Sequence, residues 1–185
     1  MSPAFDRAFA ETIGHEGGFQ DSPLDRGNWT GGRRGKGDLR GTKYGISAMS
    51  YPDLDIAGLT LADAKAIYRR DYWDRVSGDD LPDGVALFVF DYAVNSGVAR
   101  AAMALQRIVG VADDGVIGPI TLAAVNRWPA RNLIGALYSE RGRFYRDLST
   151  FPVFGKGWTK RNRAVRQAAL VLHPDPHAAA PKIHM

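Results

Sequence analysis

The run Val85-Ala-Leu-Phe-Val-Phe90 is apolar at every position, so whatever it forms has to be covered on all sides. By periodicity alone it fits a buried strand or a buried helix. Its continuation through Ala93-Val94 to Gly97 is long for a strand, which makes it the central helix of the fold. The other segments need only one apolar face. Phe5, Phe9 and Ile13 recur at helical spacing ahead of Gly17-Gly18. Thr60, with Asp63 at the capping-box position, opens a helix whose apolar face is Leu61, Ala64, Ile67/Tyr68 and Tyr72. Further helices are expected over 99–109, over 119–128 with Pro119 at the start, over 131–148 and over 158–172.

Two stretches are not helical. Residues 21–45 are rich in Gly, Arg, Asp and Asn, and a loop of that length inside a compact domain is usually functional or disordered. Residues 42–46 can make a short strand at its end. Residues 173–185, with three prolines and three histidines, read as a flexible tail. A chain of 185 residues is about one domain and can support a core without staples.

Composition excludes several chemistries. There is no cysteine, so a disulfide framework, a zinc–thiolate site and a cysteine nucleophile are out. No apolar run reaches membrane-spanning length. Residues 1–11 lack the apolar stretch of a secretory signal. His15-Glu16 does not begin an HExxH metal motif, because position 19 is Phe. The glycines at 31, 32, 35 and 37 lack the Gly-Lys-Ser/Thr ending of a phosphate-binding loop, and there is no Gly-x-Ser-x-Gly.

Charge is uneven. Residues 127–167 carry ten Lys/Arg against Glu140 and Asp147, and residues 26–43 carry six against Asp38. A basic face suits nucleic acid, an anionic membrane or bacterial cell wall; a solvated helix surface explains it equally well. The cluster Lys156-Gly-Trp-Thr-Lys-Arg-Asn-Arg163 mixes cations with an aromatic, but no nucleic-acid-binding motif accompanies it.

Glu16 sits at the end of the first helix, facing the negative end of the helix dipole, with Ile13 and Phe19 nearby to desolvate it. Both influences raise a carboxyl pKa, which is what a general acid at neutral pH requires. Position alone fits a surface glutamate as well. Asp25 follows nine residues later on a Gly/Pro-bearing loop, and Thr42 opens Thr-Lys-Tyr-Gly-Ile46. Two carboxyls on separate elements can flank a glycosidic bond, one protonating the leaving oxygen and the other serving water or the developing cation.

Glu16-Gly-Gly-Phe19, then Ser22-Pro-Leu-Asp-Arg-Gly-Asn28, then Thr42-Lys-Tyr-Gly-Ile-Ser47 resembles the N-terminal part of glycoside hydrolase family 108, bacterial and phage muramidases with a lysozyme-like fold. The spacing is also similar to the Glu/Asp/Thr triad of phage-type lysozymes. The resemblance continues through Tyr68–Trp73, Phe90–Gly97, Leu105-Gln106, Asp114–Thr121 and Gly157–Arg161. It implies a mainly α, lysozyme-like, two-lobed single domain with at most a short β-hairpin near 42–47. Residues 1–172 would form it, with a catalytic lobe of about 1–97 and a C-terminal helical lobe of about 98–172 containing a peptidoglycan-binding-like motif at 114–121.

The resemblance further implies Glu16 as general acid, Asp25 as water-positioning or cation-stabilising carboxylate, and Thr42 as holder of that water. The reaction would be hydrolysis of the MurNAc-β-1,4-GlcNAc bond, with inversion by analogy. No metal or organic cofactor is expected. The partner is the peptidoglycan glycan strand, met by a monomer, and not a specific nucleic acid. Made in the cytoplasm as an endolysin-type enzyme, it would need a holin or dedicated export to reach the wall. Tyr44 and Tyr92 are candidates to stack on a sugar and Asn95 to bond a sugar amide; a packing or capping role fits each equally. The segment 29–41, with Arg33, Arg34, Lys36 and Arg40, departs from the shorter members of the family and reads as a basic flap or a disordered insertion. A non-catalytic wall-binding or assembly protein is the rival reading. A stem-peptide amidase or endopeptidase lacks its usual zinc or cysteine.

Overall fold

The computed structural model describes residues 2–13 and 18–173. Glu16 and residues 174–185 lie outside the described residues. Among those described there are seven α-helices and one two-stranded antiparallel sheet, so the protein is mainly α with a short hairpin. The chain divides into two compact units, 9–71 and 1–8 with 72–185.

The larger unit is organised around α3 (Asp83–Ser96), the expected central helix, with every residue from Gly84 to Ala93 buried. It packs against α4 (Val98–Val109), α6 (Ala130–Arg146) and α7 (Phe151–Val171). Pro119 begins the short α5 (Pro119–Val125). Phe5, Trp73 and Phe90 form an edge-to-face cluster with ring centroids 5.5 to 6.0 Å apart, the geometry aromatic quadrupoles favour.

One charged residue lies inside α3. Asp91 is fully buried and accepts from Arg141 on α6 at 2.6 Å and from Arg161 on α7 at 2.6 Å. Arg141 is itself fully buried, donates to the Tyr145 hydroxyl at 2.6 Å, and lies 4.9 Å from the Tyr92 ring centroid and 5.3 Å from that of Tyr145. A carboxylate and a guanidinium this deep are tolerable only because they pair with one another.

α7 begins seven residues earlier than the spacing over 158–172 predicts. Pro152 is compatible with a first helical turn, which needs no N–H there. Gly155 lets the Phe151 ring lie against the helix, where a Cβ would come within 2.6 Å of it. The expected tail starts packed: His173 accepts from the Gly84 N–H at 3.1 Å, and its carbonyl accepts from Arg131 at 2.6 Å.

In the smaller unit α2 (Leu61–Tyr68) opens with the capping box the sequence predicts, Thr60 and Asp63 each accepting the other's backbone N–H. The Asp63 carboxyl is held below its ordinary value, first by the Thr60 hydroxyl and then by its N–H. Residues 69–73 form a π turn instead of more α-helix. The wider turn breaks the period that put Tyr72 in line with Leu61. α1 (Pro3–Ile13) carries Phe5, Phe9 and Ile13 as expected.

Candidate active site

Asp25 caps a single 3-10 turn, Arg26–Asn28, its Oδ1 accepting from the Gly27 N–H at 2.8 Å. Its Oδ2 accepts from the Gln20 amide at 3.2 Å. The carboxylate is otherwise exposed, so acceptor capacity remains on it.

The basic segment that follows Asn28 is a folded excursion. Trp29 and Leu39 form a bridge, the Thr30 N–H donates to the Asp38 carbonyl while its hydroxyl accepts from the Asp38 N–H, and the Gly31 N–H donates to the Lys36 carbonyl. Asn28 closes the loop, its carbonyl accepting from the N–H groups of Arg40 at 2.9 Å and Gly41 at 3.1 Å. Gly41 is left-handed at φ +81° and lies against Phe19, where a side chain would clash at 2.5 Å. Arg33, Arg34 and Lys36 point to solvent, whereas Arg40 pairs with Asp38 at 2.8 Å.

The chain then enters the hairpin β1 (Thr42–Lys43) and β2 (Ile46–Ser47). Tyr44 and Gly45 both have positive φ, as a two-residue primed turn demands. A non-glycine residue at φ +52° is uncommon, and the Tyr68 hydroxyl holds it by donating to the Tyr44 carbonyl at 3.0 Å. Thr42 and Gln20 exchange two backbone hydrogen bonds, 2.8 and 3.0 Å.

These pieces meet at Asn28, which is fully buried. Its Nδ2 donates to the Ser22 carbonyl at 2.9 Å and to Gln20 Oε1 at 2.8 Å. Its Oδ1 accepts from Gln20 Nε2 at 3.0 Å and from Thr42 Oγ1 at 2.7 Å. The Ser22 carbonyl can only accept, which fixes the orientation of the Asn28 amide. The Asn28 oxygen therefore faces Thr42, and Thr42 must be the donor. With its proton committed, the Thr42 hydroxyl can only accept from anything else that approaches. Such an oxygen can hold a water by one of the water's protons and leave its lone pair available.

The sequence-predicted Asp25 and Thr42 are thus joined through Gln20 and Asn28, neither of which sequence reasoning singled out. Asn28 stands in the quoted Asp-Arg-Gly-Asn segment, but nothing local to it signals burial. Tyr44 is half-buried in the same unit, with the Lys43 ammonium 5.6 Å from its ring centroid. Tyr92 and Asn95 belong to the other unit. Tyr92 is 1% exposed beneath Arg141, leaving no ring face for a sugar. Burial pushes its hydroxyl up to about 12, with Arg141 acting in the opposite direction. Asn95 Nδ2 donates within its own helix to the Asp91 carbonyl at 2.9 Å. Among the described residues no cluster of His, Asp or Glu is placed to hold a metal ion, and no helix is long and apolar enough to cross a membrane.

The segment 114–121 is built around one buried side chain. Gln106 donates to Asp114 at 2.7 Å, to the Val116 carbonyl at 3.0 Å and to Thr121 at 3.2 Å, and accepts from the Gly115 N–H at 2.9 Å. The Asp114 carboxyl is held below its ordinary value, chiefly by the Gln106 amide and then by the Val116 N–H.

Comparison with known proteins places the chain in a family. The family model of glycosyl hydrolase 108 matches residues 9–97. A model described as a predicted peptidoglycan domain matches residues 100–163. The structure of Brucella abortus SagA is 39% identical, covers 93% of this chain and 97% of that one, and superimposes with a TM-score of 0.77. The chain belongs to the glycosyl hydrolase 108 family. In this family 108 protein the first matched region ends at Gly97, whose φ of +95° separates α3 from α4, and the second begins at Arg100 within α4. A glycoside-hydrolase region joined to a peptidoglycan-binding region makes it a peptidoglycan hydrolase. No protein of curated function matches it.

Proposed function

We propose that this family 108 protein is an N-acetylmuramidase that cleaves the MurNAc-β-1,4-GlcNAc bond with inversion. The observation that carries the reading is the direction of the Thr42–Asn28 hydrogen bond, which leaves Thr42 an acceptor next to the Asp25 network. In this mechanism Glu16 gives its proton to the glycosidic oxygen as the bond to the sugar C1 breaks. A water held by Thr42 attacks C1 from the opposite face. Asp25 takes the proton that the water loses, and exchange with solvent returns both carboxyls to their starting states. Tyr44, fixed by Tyr68, is the candidate sugar platform. Gln20 and Asn28 are positioning residues, acting through Asp25 and Thr42. Endolysin-type lysis, with a holin or export system giving access to the wall, belongs to the same proposal.

The test is digestion of purified, protein-free sacculi, followed by borohydride reduction and mass spectrometry. Reduced muramitol ends are expected. Ends carrying reduced glucosamine, or new peptide ends, would replace the muramidase reading with another wall hydrolase. Proton NMR of the first products gives the anomer: the α-anomer appearing first marks inversion, the β-anomer retention.

A further inference from the structure

α6 and α7 pack against each other and leave a polar cleft of about 280 Å³ between them. Tyr138, Gly142 and Arg146 line it from α6, and Thr159 and Asn162 from α7. Asn162 is 3% exposed, and its Nδ2 donates to the Tyr138 carbonyl at 3.0 Å. That carbonyl can only accept, which fixes the orientation of the amide. Asn162 Oδ1 is left buried without a hydrogen-bond partner. An orphaned acceptor of this kind is costly and rare in a folded protein. Tyr145 also borders the cleft. Its oxygen accepts from Arg141 Nε at 2.6 Å, and no described group receives its proton. Burial holds the hydroxyl above its ordinary pKa, with Arg141 acting in the opposite direction, so the proton stays in place at neutral pH. The lining thus offers one unspent acceptor and one unspent donor. Arg146 and Arg143 add positive charge. Arg146 forms no ion pair with a described acid, and Arg143 gives only Nη2 to Glu140, at 2.9 Å.

We propose that this cleft binds the carboxylate end of a peptidoglycan stem peptide, its last peptide group meeting Asn162 and Tyr145 and its carboxylate meeting Arg143 and Arg146. A peptide group carries one N–H and one C=O, the complement of the two unspent groups. A carboxylate is the anion a guanidinium pairs with best in geometry. A phosphodiester would answer the cations but brings no N–H to Asn162. In peptidoglycan the muramyl carboxyls are tied up in amide bonds, so the stem peptide supplies the free carboxylate beside an amide. All the lining residues fall within 100–163, the region matched by the predicted peptidoglycan domain. Gly142 keeps the cleft open. A Cβ there would lie 3.6 Å from Arg146 and 3.8 Å from Asn162, ordinary contact distances, so the packing does not require glycine. Glycine inside a helix is destabilising relative to alanine, and an open cleft is what this one provides. The inference rests on peptidoglycan as the substrate and is independent of which wall bond is cut.

The experiment is NMR titration of the ¹⁵N-labelled full chain with a synthetic stem tetrapeptide and with its C-terminal amide. Two variants, G142L and R146Q, are first checked for native circular dichroism and Tm. The free acid should shift the amide resonances of α6 and α7 around the cleft in a saturable way. The C-terminal amide should bind about tenfold more weakly, as should the free acid to R146Q. G142L fills the cleft, gains helix propensity and should fold normally while losing the peptide-induced shifts. Absence of saturable shifts in wild type overturns the proposal. So does equal binding of acid and amide, wild-type binding by either variant, or displacement of the peptide by an equal concentration of inorganic phosphate, which would make the cleft a general anion site. No readout involves turnover, so failure here leaves the glycosidic-bond assignment standing, and a different cleaved bond leaves the peptide site standing.

Discussion

Thr42 gives its hydroxyl proton to Asn28 across 2.7 Å, and so meets any incoming water only as an acceptor. Thr42→Val keeps the shape and removes that acceptor. It should lower the rate of sacculus solubilisation about 10²-fold with little change in sacculus binding. Thr42→Ser should restore most of the rate. Equal rates for Val and Ser would take the hydroxyl out of the reaction.

Asn28→Ala leaves the Thr42 hydroxyl and the Gln20 amide without their buried partner. A stability loss of about 1–3 kcal/mol is expected in urea unfolding. Among molecules still folded, kcat should fall while KM holds, because Asn28 touches no substrate. Loss of stability with kcat intact would make Asn28 purely structural.

Glu16→Gln keeps size and polarity but cannot release a proton. Turnover should drop by about 10²–10⁴-fold, with folding and sacculus binding preserved. Near-normal turnover would require another acid.

Of the four cations in the excursion, Arg33, Arg34 and Lys36 are the ones free to meet a polyanion. Arg40 is occupied by Asp38 and the Pro52 carbonyl. Replacing Arg33, Arg34 and Lys36 with Ser should therefore weaken sacculus binding most at low salt and fade as salt screens the charges. Binding indifferent to the three at every salt concentration would remove the flap from recognition.

Asp91→Ala strands two arginines, one of them fully buried. The cost should be about 3–5 kcal/mol in chemical denaturation. An unchanged midpoint would mean that water replaces the carboxylate.

Acid should act through Asp63 and Asp114. Both carboxyls are shifted downward from 3.8, so folding favours their ionised forms. Their contribution is complete above pH 3.8 and is lost as pH falls through the lower folded values. Tm measured between neutral pH and pH 2 should show a shallower acid decline in D63N/D114N than in wild type.

What the sequence disclosed was local. Val85–Phe90 announced its burial because every side chain was apolar, and Thr60 with Asp63 announced a helix start because both partners lie within one turn. Asp25 stood out as a carboxylate on a turn. The rest depended on residues far apart in the chain. Asp91 meets Arg141 fifty positions on and Arg161 seventy positions on. No periodicity marks which polar residue a core will enclose. Tyr92 was ambiguous for the same reason, since a helix apolar all round does not say which aromatic faces a ligand. Asn28 carried no mark because its importance comes from Thr42, fourteen residues away across the excursion. The start of α7 carries Pro152, Gly155 and Gly157, residues of low helix propensity, and only the packing of the Phe151 ring shows why Gly155 belongs there.

The carbonyl of Asn28 accepts from both Arg40 and Gly41, so the excursion begins and ends at one fixed point. What lies between is therefore a cartridge. Closing a longer or shorter loop on the same clasp changes the free energy only slowly, about 0.6 kcal/mol per doubling of length. A lineage, or an engineer, can rewrite the charge and reach of that cartridge while the Thr42 hydroxyl stays in register with Asn28. Adaptation to a new wall and upkeep of the chemistry then become separate problems for the same short stretch of chain.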